Sequence, residues 1–244
     1  MDGPAKDRLL FILCTEGPLR WVSEMMAFGD LISRRRPGVE VSVAAVAEYD
    51  TPVPTLAHLA RVLRPRFASA VVLPMALADA AHLPGEYAES VRQAASSSGM
   101  SLTLADPLGE GDTTALVAAL QKAAALQGLR VGDPIVIATD DGDEDPTERE
   151  FITELAARWS AVRSAPVHAA AIKSGSSTNE VMRRVAQDHS GFGLADLMPA
   201  HTRHLAAMQA ESASREFGCT VRTMTSAGPL ADRACHRYDR AAGK

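Results

Sequence analysis

Two rhythms of apolar residues alternate along this chain. Short runs rich in apolar residues, Leu9 to Cys14, Val39 to Ala45, Ala68 to Met75 and Ser101 to Ala105, are bounded by polar or glycine-containing stretches and read as strands. Between them apolar residues recur at helical spacing: Val22, Met25, Met26, Gly29 and Ile32, then Leu56, Leu59, Ala60 and Leu63, then Tyr87, Val91, Ala94 and Ala95, and finally Leu116, Ala119, Leu120 and Ala123. On that spacing Met25 and Met26 both belong to the core. Strands alternating with helices predict right-handed βαβ units and an α/β fold whose parallel sheet is covered on both faces.

The pattern then starts again. The stretch 128–134, GLRVGDP, reads as a short linker. Beyond it, DPIVIATDDG repeats the shape of LLFILCTEG, matching Ile12 with Ile137, Glu16 with Asp141 and Gly17 with Gly142 at an offset of 125. VSVAAVAE at 41–48 parallels PVHAAAIK at 166–173 with that same offset, LPMA at 73–76 is echoed by LMPA at 197–200, and DPLG at 106–109 by GPLA at 228–231. Four matches in order predict two similar doubly wound halves facing each other across a cleft, with residues 1–127 as the first domain and 135–244 as the second.

Composition narrows the setting. The 244 residues are 46% hydrophobic and 23% charged, enough apolar material for a substantial core. A net charge of −5 with scattered histidines offers no basic face for a phosphate backbone, so nucleic acid is not expected as a partner. The one basic run, Arg34 to Arg36, reads as the solvated end of a helix favoured by its dipole. No stretch has the roughly 20 apolar residues of a membrane span, and the N-terminus, with Asp2 and Asp7, lacks the basic start and apolar centre of a signal peptide; a cytoplasmic protein is expected. Cys14, Cys219 and Cys235 are too far apart for a C-x-x-C zinc site, and an odd count argues against a disulfide framework.

The architecture also says where chemistry belongs. Ligands of open parallel sheets bind beyond the carboxyl ends of the strands at the switch point, which lies between the first and third strands when the order is 2-1-3-4. Cys14, Thr15, Glu16 and Gly17 end the first strand, and MALADAAHLPGEY after the third carries Asp79, His82 and Glu86. Glu16 and His82 are the groups this fold brings face to face; both take divalent metals and both move protons near neutral pH. Taken singly, a carboxylate after a strand is most often a cap or solvated loop residue, a strand-end thiol such as Cys14 is most often buried, and the acids between 139 and 150 suit a loop entering a helix N-terminus. His201 and His204 form an i, i+3 pair with no evident third ligand.

FILCTEGP, GVEVSVAAVAEYDTPVPTLAHL, AVVLPMALADAAHLPGEYAESV and ADPLGEGDTTALVAAL resemble the sirohydrochlorin chelatases, the class II chelatases that insert cobalt, iron or nickel into a reduced tetrapyrrole without ATP. The resemblance covers residues 8 to about 125 directly, and the rest through the internal repeat. It implies a lyase with a divalent metal as substrate or ligand, no nucleotide, a tetrapyrrole-like partner and no membrane, with a homodimer left open beside the monomer. In the family a strand-end His-Gly pair and a second histidine after strand three bind the metal and collect pyrrole protons. His82 matches the second; the first falls on Glu16, which keeps its glycine, Gly17. The resemblance therefore implies Glu16 and His82 as catalytic and metal-binding residues, with Cys14, Thr15, Gly17, Asp79 and Glu86 around the substrate. The second half, with Asp140 and Asp141 at its first strand end and Ala206 at the position 124 beyond His82, reads as a degenerate structural lid. The carboxylate at position 16 keeps an alternative open: a diverged relative using Glu/His acid–base chemistry on another small molecule, or a metal or tetrapyrrole carrier.

Overall fold

The computed structural model describes residues 8–14, 19–47, 53–76, 83–109, 113–139, 146–171, 176–197 and 203–243. The first sheet contains β1 (Leu9–Cys14), β2 (Glu40–Ala45), β3 (Ser69–Pro74) and β4 (Ser101–Leu104), all parallel, in the order β2-β1-β3-β4. The helices α1 (Leu19–Arg35), α2 (Leu56–Leu63) and α3 (Leu83–Ser98) alternate with them. After α4 (Thr114–Leu126) the series recurs as β5 (Ile135–Thr139), α5 (Pro146–Arg163), β6 (Val167–Ala171), α6 (Ser176–Asp188), β7 (Gly191–Asp196), α7 (Arg203–Phe217), β8 (Thr220–Thr225) and α8 (Ala227–Ala241). The second sheet is parallel too, in the matching order β6-β5-β7-β8. The expected α/β class, two doubly wound parallel sheets, is what the chain adopts, and each expected strand of the first half lies within one residue of its predicted ends.

All six residues of β1 are buried, which is why that strand reads as an unbroken apolar run and not as an alternation. Leu9, Phe11 and Leu13 share a core with Leu56 and Ala60 of α2 and with Tyr87, Val91 and Ala94 of α3. On the opposite face Ile12 meets α1, where a Cβ added to Gly29 would lie 3.6 Å from Ile12 Cδ1 and 3.4 Å from Val41 Cγ1. The buried stripe of α1 is Met25, Phe28, Gly29 and Ile32. Met26, expected in the core, is 53% exposed: it stands about 100° around the helix from Met25, off the stripe that Phe28 completes. Thr55 caps α2 by accepting the His58 N–H at 3.2 Å.

Contacts divide the chain into two compact units, residues 1–110 with 231–244, and residues 111–230. These are not the halves 1–127 and 135–244, because each half hands one helix to the other unit. In the second unit α4 packs on α5, burying Leu116, Val117 and Leu120. In the first, α8 from Ala231 onward is fixed by polar links: Arg35 to Asp232 at 2.5 Å, Arg36 to Asp239 at 2.6 Å, Arg233 to the Leu108 carbonyl, and Arg237 to Asp106 at 3.3 Å. The run Arg34 to Arg36 is thus only partly the solvated helix end expected of it. Arg34 and Arg35 occupy the last turn of α1, as the dipole favours, but Arg35 and Arg36 also pair with α8, and the Asp239 hydrogen bond raises the Arg36 pKa.

The stretch 128–134 belongs wholly to the second unit and is tightly held. Leu129 is buried against β7, so close that a Cβ on Gly193 would come 2.6 Å from Leu129 Cδ1. The fully buried guanidinium of Arg163 donates to the carbonyls of Arg130 and Asp133 and to Gln121 Oε1, the last at 3.0 Å. Gln121 Oε1 also accepts from Trp159 Nε1 at 3.0 Å, so one amide ties α4 to α5. The chain passes between the units at 110–111 and again at 230–231, not in this stretch.

Candidate functional site

The switch point of the first unit is where the sequence pattern puts it. β1 lies between β2 and β3, Leu13 is the ladder partner of Pro74, and the Met75 N–H donates to the Leu13 carbonyl at 2.8 Å. The segments that follow β1 and β3 therefore leave the sheet from adjacent points. Glu16 is two residues past the end of β1, and His82 immediately precedes α3. Thr15, Glu16, Gly17, Asp79 and His82 themselves lie outside the described residues.

Cys14 and Glu86 are described, and they differ. Cys14 is buried to 1%, its thiol donates to the Ala44 carbonyl at 3.0 Å, and burial pushes its pKa far up. Buried and bonded to the Ala44 carbonyl, Cys14 has the surroundings of an ordinary apolar strand residue. Glu86 is exposed in the first turn of α3, where the helix dipole favours an acid. Among the described residues no cluster of three or more His, Cys, Asp or Glu is placed to hold a metal ion.

The two ladders correct the internal alignment. Ile12 pairs with Val43 and Leu73; Ile137 pairs with Ala169 and Ala195. Against the 125 of the central strands, the offset is therefore 126 at β2 and β6 and 122 at β3 and β7. Ser69 pairs with Ser101 and Gly191 with Thr220, which brings it to 119 at β4 and β8. The turn glycines Gly99 and Gly218, with φ of 68° and 63°, and the buried pairs Val91 with Ala210 and Ala94 with Ala213 keep 119 through α3 and α7. In the last helices, buried Leu116, Val117 and Leu120 match Leu230, Ala231 and Ala234 at 114. The echoes LPMA/LMPA and DPLG/GPLA were thus out of register, because the connections shorten stepwise along the second half. The counterpart of His82 is accordingly not Ala206. It falls at His204 in the strand frame and at His201 in the helix frame, residues whose side chains lie outside those described.

One candidate passed unnoticed in the sequence. Asp196 ends β7 at the ladder position that Pro74 holds in β3, and it is 5% exposed. The Ser226 hydroxyl donates to its carbonyl. Its signal was an acid closing the apolar run GFGLAD.

With two parallel four-stranded units, each with its first strand inside the sheet, the chain has the fold of the sirohydrochlorin chelatases. SirB from Bacillus subtilis solved with Fe3+ is 14% identical over 97% of this chain and 96% of its own, with a TM-score of 0.70. SirB from Bacillus subtilis subspecies spizizenii, solved in complex with cobalt, is 13% identical over the same shares, with a TM-score of 0.68. CbiX, the terminal enzyme of sirohaem biosynthesis in denitrifying bacteria, is 16% identical over 94% of this chain and 98% of its own, with a TM-score of 0.62. No family model and no curated sequence matches the chain, so the likeness is one of fold. Among the described residues no helix is long and apolar enough to cross a membrane.

Proposed function

We propose that this protein is a cytoplasmic chelatase that inserts a divalent metal, cobalt or iron, into a sirohydrochlorin-like tetrapyrrole, with the site in its N-terminal half. The observation that carries this reading is the match in fold to SirB over 97% of the chain, together with the adjacency of β1 and β3, whose following segments hold Glu16 and His82. Insertion of M2+ into the ring releases two pyrrole N–H protons. Glu16 and His82 are the two groups at the switch point able both to hold the ion and to accept those protons. With Cys14 locked in the core, a metal shared by one carboxylate and one imidazole stays partly hydrated and weakly held, which suits delivery to a ring better than storage.

The test is spectroscopic. Purified protein mixed with sirohydrochlorin and Co2+ or Fe2+ is expected to speed the change of the ring's visible bands over the protein-free rate, and His82→Ala is expected to remove that acceleration. An unchanged rate with both metals would favour the alternative, in which a carboxylate in place of the family's first histidine serves acid–base chemistry on another small molecule, or a carrier role.

A second reading puts the chemistry in the C-terminal half. Asp196 favours it, a buried carboxylate at a strand end, with His201 or His204 as the register-matched counterpart of His82.

A further inference from the structure

The described residues contain a groove that the chelatase reading does not use. It lies in the second unit between α5 and α6, over the outer edge of β6, and has a volume of about 360 Å3. Its floor is His168 and Ala169, and its walls include Thr153 and Ala156 of α5 and Val181 and Arg184 of α6. The small side chains Ala156 and Ala169 keep it open. No acid lines it.

Among the described residues three nitrogen donors border this groove. Arg184 supplies a guanidinium and His168 an imidazole. The third is a main-chain amide, and the ladder identifies it. Ile135 donates to the Pro166 carbonyl and is paired with Val167, so His168 and Ala170 turn their peptide groups toward β5, and Val167 and Ala169 turn theirs to the open edge. The Val167 N–H is taken by Ser160 Oγ at 3.2 Å, which leaves the Ala169 N–H facing the groove. Arg184 also differs from its neighbour: Arg183 pairs with Glu216 at 3.3 Å and lies over the Phe217 ring, whereas Arg184 faces the groove.

We propose that this groove is a binding site for a small oxyanion, a carboxylate or phosphate, held by Arg184, His168 and the Ala169 amide. A forked guanidinium beside an imidazole and an edge amide is the donor set that oxyanions take, and the described lining puts no like charge against them. The groups facing His168 are Arg184 and His189 from α6 and the neutral Thr153 and Ser160 from α5. Burial first, then Arg184 and His189, hold the His168 pKa below its usual value. A bound anion reverses the local field and favours the imidazolium, which couples binding to proton uptake.

The experiment is an NMR titration of the His168 imidazole in the full chain, its resonance assigned with His168→Gln, at constant ionic strength in chloride, acetate or inorganic phosphate. Acetate or phosphate is expected to raise the His168 pKa by roughly half a unit or more over chloride, and Arg184→Gln to abolish that rise while Arg183→Gln leaves it in place. A rise with acetate alone identifies a carboxylate site, and one with phosphate alone a phosphate site. The same pKa in all three salts, or a rise that survives Arg184→Gln, overturns the proposal. The far-UV spectrum of Arg184→Gln, an exposed position, checks that the variant is folded.

Discussion

Leu13 and Pro74 are ladder partners at the carboxyl ends of neighbouring strands, so the two segments that hold Glu16 and His82 start side by side. The first prediction rests on this adjacency of the two strand ends and on the proposed pairing of Glu16 with His82, 66 residues further along the sequence. Glu16→Gln keeps shape and removes charge; it is expected to lower the rate of cobalt insertion by about 10²-fold or more, the scale of a lost acid/base group. Glu16→His is expected to retain or raise insertion. Steady-state rates from the ring's visible bands check both, and full activity in Glu16→Gln would return Glu16 to the status of a loop residue.

The corrected register turns the second half into a control. His82→Ala is expected to remove insertion, while Asp141→Asn and His204→Ala stay within a few-fold of the parent rate. The reverse ranking, with Asp141 or His204 mattering most, assigns the chemistry to the C-terminal half, where Asp196 stands at the strand end.

Gly193 has no room for a methyl group, because Leu129 Cδ1 would lie 2.6 Å away and Ile135 Cγ1 3.3 Å away. Gly193→Ala is expected to cost about 1–3 kcal/mol, the usual penalty of overpacking. A fall in the urea midpoint reads this out, and in a Leu129→Ala background, itself destabilised, the added cost of Gly193→Ala is expected to shrink because the clash is gone.

Arg163 is a second stability test. Replacing it with Met removes the guanidinium donor from the carbonyls of Arg130 and Asp133, of which Arg130 keeps the Asp133 N–H, and frees Gln121 from one of its two partners while leaving a buried site refilled by an apolar chain. The expected cost is about 3 kcal/mol, more than that of a typical surface change. Arg35→Ala, whose ion pair with Asp232 is largely exposed, is expected to cost about 1 kcal/mol or less.

His168 gives a pH dependence of defined sign. Its folded pKa lies below the ordinary 6.5, so the unfolded chain binds its proton first as pH falls. Stability is therefore undiminished by this group above about pH 6.5 and declines as pH drops through that value toward the folded pKa. His168→Gln is expected to make the decline between pH 7 and 5 shallower, measured as urea midpoints across that range in chloride.

Most of the fold was legible because burial on both faces leaves a strong mark. A continuous run such as Leu9 to Cys14 has few other readings, and the 2-1-3-4 order follows once the first strand must be central. What the sequence left hidden came from weaker constraints. Met26 and Phe28 are both apolar, and only the angle at which α1 meets the sheet through Gly29 selects between them. The internal echoes found the repeat but not its register, since LPMA and LMPA match in composition while the ladder pairs Leu73 with Ile12 and Ala195 with Ile137. Asp196 closes an apolar run much as Glu16 follows one, and no sequence feature marks it as buried.

The exchange of terminal helices has a consequence for synthesis. The second unit is one continuous stretch, 111–230, whereas the first is begun by the opening 110 residues and completed only by 231–244. On a ribosome the unit made first is thus finished last. Until the final residues emerge, the place later filled by Ala231, Ala234, Cys235 and Tyr238 is unfilled, and Asp106 and the Leu108 carbonyl wait for Arg237 and Arg233. Translation order and folding order are out of step by most of one helix, and a nascent chain ending at residue 230 carries all of its second unit and lacks residues 231–244 of its first.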